Sequence, residues 1–229
     1  MIKTVALDAD DTLWQNERFF QMSQERFTDL LSDFVPAEDL SQRLLAAERR
    51  NLGRYGYGIK GFVLSMIETA LDVSDQKVSG AVVSKLIEAG HDMLAHPIEL
   101  LPGVQTAVQS LAAQFHLVLI TKGDLLDQER KLAQSGLGDY FDAVEVVSEK
   151  SPEIYARLFA RHGLAATSVM AGNSVRSDVI APIEAGAYGV FVPHGYGWEI
   201  EAATPPRDHP KFRQIAELAA LPTLLGDLV

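Results

Sequence analysis

The sequence predicts an α/β protein with a parallel sheet and a bundle of helices inserted behind its first strand. After about residue 97, short and almost wholly apolar segments alternate with helical segments, which is typical of a parallel sheet covered on both faces. Between about residues 17 and 94, the apolar residues instead recur at helical spacing, with little sign of a strand.

The first strand is predicted at Thr4–Leu7, directly before three closely spaced aspartates. A first helix is expected from about Glu17 to before Pro36, with Asn16 as its N-cap, and three more follow with short connections. The apolar stripes of the four helices are expected to pack into a small bundle. They contain Phe20, Phe27, Leu31 and Phe34; Leu40, Leu44 and Ala47; Phe62, Met66, Ile67 and Ala70; and Val78, Val82, Leu86 and Met93.

The second half of the chain supplies the rest of the sheet. Strands are predicted at Phe115–Gly123, Ala143–Val147, Ser168–Gly172 and Tyr188–Val192. Helices are predicted at Leu125–Gly136 and Pro152–Gly163, around Val179–Ala185, and near Phe212–Ala220 after a loop at Thr204–Pro210. Since the first strand would join this sheet, we expect residues 1–15 and 96–229 to form the core domain and residues 16–95 a helical cap domain.

Composition excludes several classes of function. The 229 residues carry a formal net charge of −11, which disfavours sequence-independent binding to nucleic acid or to an anionic membrane. Cysteine is absent, so disulfides, thiolate metal sites and cysteine nucleophiles are excluded. The acidic start does not resemble a secretory signal, and no apolar run approaches the ~20 residues of a membrane helix. We therefore expect a cytoplasmic protein; its oligomeric state is not indicated.

Polar residues follow the predicted strands, where open α/β sheets bind their ligands. Carboxylates, hydroxyls, an amide and lysines are expected on one edge of the sheet: Asp8, Asp10 and Thr12; Thr121, Lys122 and Gly123; Lys150; and Asn173 and Asp178. Asp8 and Asp10 can lie close together if a divalent cation and Lys150 offset their charge. Hard oxygen ligands without histidine or thiolate favour Mg²⁺.

These residues resemble the signatures of the haloacid dehalogenase-like hydrolase superfamily. Asp8-Ala-Asp10-Asp-Thr12 resembles its Asp-x-Asp-x-Thr motif, and Thr121 its Ser or Thr at a strand end. Lys150 precedes Ser151-Pro152, like the family's lysine segment with one proline replaced, and Gly172-Asn173…Asp178 is similar to its acidic motif. The resemblance covers nearly the whole chain and implies a Rossmann-like core with a helical cap.

The resemblance implies a role for each residue. Asp8 would attack phosphorus to give an aspartyl-phosphate, and Asp10 would protonate the leaving oxygen and later deprotonate water. Thr121 would bind a phosphoryl oxygen, and Lys150 would balance charge. Mg²⁺ would be held by Asp8, the Asp10 carbonyl and Asp178, with Asn173 either near the ion or in its coordination shell. We also assign Lys122, Gly123 and Arg54 to substrate binding; Arg54 lies in the inserted Arg54–Gly58 segment.

The expected function is therefore a Mg²⁺-dependent phosphatase of small phosphorylated metabolites. A phosphomutase on the same scaffold, a metal-free haloacid dehalogenase and a non-catalytic binding module are the alternatives. Dehalogenation is disfavoured because a leaving halide needs no proton, and those relatives generally lack the aspartate found here as Asp10. Two positions depart from the family: Asn173 stands where aspartate is more usual, and Asp11 where glycine is frequent, and Asp11 is assigned no role.

Overall fold

A computed structural model of the protein describes residues 1–228, which fold into two compact units. The sheet unit comprises Met1–Glu17, Ile98–Lys122 and the chain from Gln128 onward, and the helical unit comprises Arg18–Pro97 with the short segment Gly123–Asp127. Whether the units are separate domains stays a prediction. Among residues 1–228, every helix is too short or too polar to cross a lipid bilayer.

The sheet unit contains six parallel strands in the order β3-β2-β1-β4-β5-β6. This order reverses direction between β1 and β4, which is the switch point where open α/β sheets bind ligands. The predicted α/β class with a Rossmann-like parallel sheet is confirmed. The strands are β1 Thr4–Leu7, β2 His116–Lys122, β3 Ala143–Val147, β4 Ser168–Gly172, β5 Tyr188–Phe191 and β6 Phe212–Gln214.

Helices cover both faces of this sheet, because successive strand residues point to opposite sides. Val5 and Leu7 belong to one apolar cluster, with residues of α5, α6 and α9. Ala6 belongs to the other, with residues of α7 and α8. These helices are α5 Val104–Ala112, α6 Leu125–Ser135, α7 Pro152–His162, α8 Ala181–Glu184 and α9 Leu221–Asp227.

The helical unit contains the four predicted amphipathic helices, and their apolar stripes form a core of their own. The helices are α1 Glu17–Leu31, α2 Ala37–Tyr55, α3 Ile59–Val73 and α4 Gly80–Ala95. One predicted core residue is wrong: Phe34 is 41% exposed, because α1 ends at Leu31 and the chain then turns.

Two local predictions in the sheet unit are corrected, and one helix was missed. The final helix was expected near Phe212–Ala220, but this region begins with β6, and α9 starts only at Leu221. The helix expected around Val179–Ala185 is a π-helical turn at Val175–Ile180 followed by the short α8. Helix α5 was not anticipated. In each case the local pattern was too short to separate helix from strand or turn.

Gly189 allows the π-helical turn to pack directly on β5. A Cβ atom at Gly189 would lie 2.6 Å from the Val179 carbonyl oxygen and 2.9 Å from the Val179 α-carbon, so backbone would have to move. We expect Gly189→Ala to lower the free energy of unfolding by about 1–3 kcal/mol, as overpacking does. Denaturant unfolding measures this change.

Gly226→Ala is the matched control for Gly189→Ala. Gly226 lies in α9, where an added Cβ meets no atom within 4 Å. This variant should leave stability unchanged or raise it by roughly 0.5–1 kcal/mol through helix propensity. Equal losses in the two variants would show that the close approach to Val179 is not what makes Gly189 necessary.

Candidate active site

The polar residues that follow β1, β3 and β4 meet at the carboxyl edge of the sheet. Lys150, which comes after β3, donates hydrogen bonds to Asp8 Oδ1 at 2.5 Å and to Asp178 Oδ1 at 2.7 Å. Asp8 follows β1, and Asp178 lies in the π-helical turn after β4. All three residues are buried. One ammonium therefore joins two carboxylates, and the three groups come from three separate segments of the chain.

The charge in this cluster is unbalanced, since two carboxylates share one lysine. Burial raises the pKa of Asp8 to about 7; Lys150 opposes this shift, and Asp178 adds to it. Burial alone would lower the pKa of Lys150, but Asp178 and Asp8 outweigh it and raise that pKa above its ordinary value. The lysine thus stays charged, and the site keeps a surplus of negative charge that a cation can offset.

Asp10 is held by a separate set of donors. Its Oδ1 accepts from Trp14 Nε1 at 2.8 Å and from Lys131 Nζ at 2.9 Å, while its Oδ2 accepts from Gln128 Nε2 at 2.8 Å. Lys131 also donates to Asn16 Oδ1 at 2.8 Å. Burial raises the pKa of Asp10, but Lys131 and these hydrogen bonds outweigh it, so the pKa lies below its ordinary value.

Asp11 has a structural role that the sequence did not suggest. Its backbone is left-handed (φ 58°), which explains why glycine would suit this position. Its carboxylate accepts hydrogen bonds from the backbone N–H groups of Asn16 and Glu17, at the start of α1. Burial raises the pKa of Asp11 to about 6, opposed by the Asn16 hydrogen bond. The side chain that caps this end of the helix is therefore that of Asp11 and not that of the predicted Asn16.

Oxygen atoms converge between Asp8 and Asn173. Thr12 Oγ1 donates to Asp8 Oδ2 at 3.2 Å and accepts from the Asn173 backbone N–H at 3.1 Å. With its amide oxygen turned inward, Asn173 faces only acceptors; with the amide reversed, its nitrogen donates to the Asp10 carbonyl and to Asp8 Oδ2, each at 3.2 Å. The carboxylate, the carbonyl and the amide therefore share one small space.

This donor set fits a hard divalent cation. With its oxygen inward, Asn173 contributes a third oxygen beside Asp8 Oδ2 and the Asp10 carbonyl, and a cation among these oxygens would relieve the contact between acceptors, as reversal of the amide also does. Within residues 1–228 no cluster of three acidic or imidazole side chains suited to a metal is found, so the set has few charged ligands. Gly172 keeps the space open, because a Cβ there would overlap the Asp178 carboxylate.

The residues predicted at the end of β2 lie in two different environments. Thr121 is buried, and its hydroxyl donates to the Lys122 carbonyl oxygen at 3.3 Å. Lys122 Nζ donates to Glu201 Oε1 at 2.6 Å and to Ser177 Oγ at 3.0 Å. Glu201 Oε2 accepts from Ser174 Oγ at 2.8 Å and from Ser177 Oγ. Glu201 therefore joins the end of β2 to the segment that carries Asp178.

Two predicted substrate-binding residues belong to the helical unit. Arg54 is exposed in the last turn of α2, and Gly123 lies in the segment that groups with the helices, with φ at 143°. Their assignment to substrate binding stays a prediction, as do the roles assigned to Thr121 and Lys122.

Sequence reasoning missed Trp14, Gln128, Lys131 and Glu201. Gln128 and Lys131 are three residues apart on α6, so they share a helix face, and both are buried. The available signal was that Gln128 and Lys131 lie close to the apolar Leu132 on the helix, which indicates that both polar side chains face the interior. Glu201 carried no such signal, because it lies in a three-residue 3-10 turn, Glu199–Glu201, after β5.

The raised pKa of Asp8 predicts a pH-dependent stability without metal. The unfolded carboxyl loses its proton near its ordinary pKa of 3.8, whereas the folded one keeps it until about pH 7. Ionised Asp8 therefore costs the fold stability increasingly from about pH 4 to about pH 7, and fully above that. Asp8→Asn removes this cost, so its thermal stability relative to the unchanged protein should rise across this range.

Thermal unfolding in a chelator between pH 5 and pH 8 measures the difference between the two proteins. Other titrating groups, including Asp10 and Asp11, are present in both and largely cancel. A difference that stays constant with pH would contradict the raised pKa of Asp8.

Solved structures of known proteins share this fold. A solved structure of a haloacid dehalogenase-like family hydrolase from Xanthomonas campestris is 40% identical, with a TM-score of 0.89 over 99% of this chain and 91% of that chain. A 2-haloacid dehalogenase from Pseudomonas syringae shares the fold at 22% identity, with a TM-score of 0.65 over the full length of both chains.

A curated sequence and a family model also match this chain. The glyceraldehyde 3-phosphate phosphatase of Methanopyrus kandleri is 25% identical over an alignment of 210 residues that covers 88% of each chain. The family model for haloacid dehalogenase-like hydrolases matches residues 2–186. The chain therefore belongs to the haloacid dehalogenase-like hydrolase family.

Proposed function

We propose that this hydrolase is a Mg²⁺-dependent phosphatase of small phosphorylated metabolites that acts through an aspartyl-phosphate. The observation that carries the proposal is the second carboxylate, Asp10, held by three donors two residues beyond Asp8. Cleavage of a phosphate ester needs a proton for the leaving oxygen and later a base for water, whereas release of a halide needs no proton.

Asp8 is the proposed nucleophile. Lys150, hydrogen-bonded to Asp8 Oδ1, orients the carboxylate and places positive charge beside the phosphoryl group. Thr12 holds Asp8 Oδ2. The lowered pKa of Asp10 keeps its carboxylate ionised before substrate binds, and the negative charge of a bound phosphate would raise that pKa. Asp10 then gives a proton to the leaving oxygen as the phosphorus–oxygen bond breaks, and later takes a proton from the water that hydrolyses the aspartyl-phosphate. Thr121 is proposed to bind a phosphoryl oxygen.

Asp8, the Asp10 carbonyl, Asn173 and Asp178 are the residues proposed to hold Mg²⁺. When bound, the ion would supply positive charge to the phosphoryl oxygens, where most catalysis of phosphoryl transfer lies. Its charge would also offset the surplus carboxylate around Lys150.

A curated relative and the net charge of the chain support the proposed substrate class. The relative from Methanopyrus kandleri, at 25% identity, is named as a phosphatase of a small phosphorylated compound. Arg54 is the proposed substrate contact from the helical unit, and Lys122 and Gly123 those from the end of β2. With a net charge of −11, nucleic acid and anionic membranes are not expected partners.

Asp8→Asn tests the proposed reaction. The amide occupies the same volume but cannot attack phosphorus, so turnover of p-nitrophenyl phosphate with Mg²⁺ should fall to the background of an enzyme-free control. Phosphate release is measured with and without Mg²⁺, alongside halide release from a 2-haloacid. Lys3→Met, at an exposed site at the opposite end of β1, should retain full activity.

Each alternative function gives a different result in this assay. Halide release without metal would establish a dehalogenase, and transfer of the phosphoryl group back to an acceptor would establish a phosphomutase. Failure to turn over any phosphate monoester would leave a binding module.

The proposed metal site predicts opposite effects at its two side chains after β4. Affinity for hard cations rises with the number of charged ligands. Asn173→Asp should therefore lower the Mg²⁺ concentration needed for half-maximal binding, and Asp178→Asn should raise it. Calorimetric titration of Mg²⁺ measures this directly. The same Mg²⁺ affinity in all three proteins would remove both side chains from the metal site.

A further inference from the structure

We infer that Lys131 is a positioning residue for the proton-transferring carboxylate of Asp10. The inference rests on the proposed function and concerns a residue outside the family signatures. Lys131 lies on α6, 121 residues from Asp10 in sequence, yet its ammonium is 2.9 Å from Asp10 Oδ1. It is the cationic member of the set that holds Asp10.

The donors are divided unequally between the two oxygens of Asp10. Lys131 and Trp14 both occupy Oδ1, while Gln128 alone contacts Oδ2. Oδ2 is therefore the oxygen with capacity left to exchange a proton. In the first step a carboxylate oxygen of Asp8 bonds to phosphorus, the bond from phosphorus to the leaving oxygen breaks, and the proton passes from Oδ2 to that leaving oxygen. In the second, the oxygen of water bonds to phosphorus, the bond from phosphorus to Asp8 breaks, and a proton of the water passes to Oδ2.

Lys131 is itself held in place, so it can fix the orientation of the Asp10 carboxylate. Its ammonium also donates to Asn16 Oδ1 at 2.8 Å, so it cannot follow Asp10 if that side chain rotates. Lys131 is only 6% exposed, and an ammonium group this buried needs hydrogen-bonded partners. These partners hold it in a fixed position. Without Lys131, Oδ1 would retain the Trp14 donor alone and the carboxyl group could turn between rotamers.

A purely structural ion pair between Lys131 and Asp10 is the competing explanation. It predicts that loss of Lys131 lowers stability and activity equally for every substrate. A positioning role predicts a loss that depends on the leaving group, because a basic leaving oxygen needs the proton and an acidic one does not.

The test uses kcat/KM for a series of substituted phenyl phosphates, which reports the step that releases the leaving group. We expect Lys131→Met to lower kcat/KM by about tenfold or more for the most basic phenols and by less than about threefold for nitrophenol. Lys3→Met, which removes an exposed lysine, should match the unchanged protein across the series. Equal losses for every leaving group would overturn the inference.

A double-mutant cycle separates this role from any other effect of the lysine. If Lys131 acts through Asp10, Lys131→Met should cause no further loss of kcat/KM in an Asp10→Asn background. The same loss in both backgrounds would contradict the inference. An unchanged protein that hydrolyses none of the phenyl phosphates would instead overturn the proposed function, so the two failures are distinguishable.

Asn16→Ala covers the case in which Lys131→Met does not fold, as judged by circular dichroism. This variant keeps both charges and removes only the second anchor of Lys131. It should give a smaller loss of kcat/KM with the same dependence on the leaving group. A loss that is uniform across the series would count against positioning.

Discussion

The hydrogen-bonded ion pairs from Lys150 to Asp8 and Asp178 are the interaction on which the rest of this site depends. Three segments that follow three different strands each carry a charged side chain into the site, and two of these charges have the same sign. Buried carboxylates at such close quarters would repel each other without a partner. Lys150 makes the arrangement possible. Burial is the main cause of the raised pKa of Asp8, and Asp178 adds to it, while the one carboxylate that Lys150 leaves unbalanced accounts for the cation affinity that we propose.

The three aspartates near the N-terminus illustrate how one cluster of like charges is divided among separate partners. Asp8 is held by Lys150, Asp10 by Lys131, and Asp11 by the backbone N–H groups at the start of α1. Each carboxylate is therefore compensated in a different way, and their pKa values diverge accordingly: two lie above the ordinary value and one below it. Residues so close in sequence can thus take unlike roles: proposed nucleophile, proposed acid and base, and helix cap.

The neutral Asn173 changes the charge balance at the end of β4. An aspartate there would add a third carboxylate beside Asp8 and Asp178, with only Lys150 buried among them. Asn173 instead contributes an amide that suits either a cation or direct hydrogen bonds to its oxygen neighbours. Glu201 stabilises the same segment by accepting hydrogen bonds from Ser174 and Ser177. Its own charge is balanced by an ion pair with Lys122.

The sequence by itself determined the fold class, the four inserted helices and the strand ends that carry Asp8, Thr121, Lys150 and Asp178. These follow from apolar periodicity and from the rule that ligands bind at the carboxyl edge of a parallel sheet, both of which are local or topological. It did not determine β6, because three residues carry too little periodicity to distinguish a strand from a helix.

Only the tertiary structure decided which polar residues contact Asp10 and Lys122. Lys131 and Gln128 lie on α6, and Glu201 lies in a 3-10 turn after β5, all far from their partners in sequence. Helical periodicity shows which face of α6 is buried, but it does not show what that face meets. Buried charges and hydrogen bonds are satisfied by whichever groups packing brings within about 3 Å, and that distance is set by the whole fold.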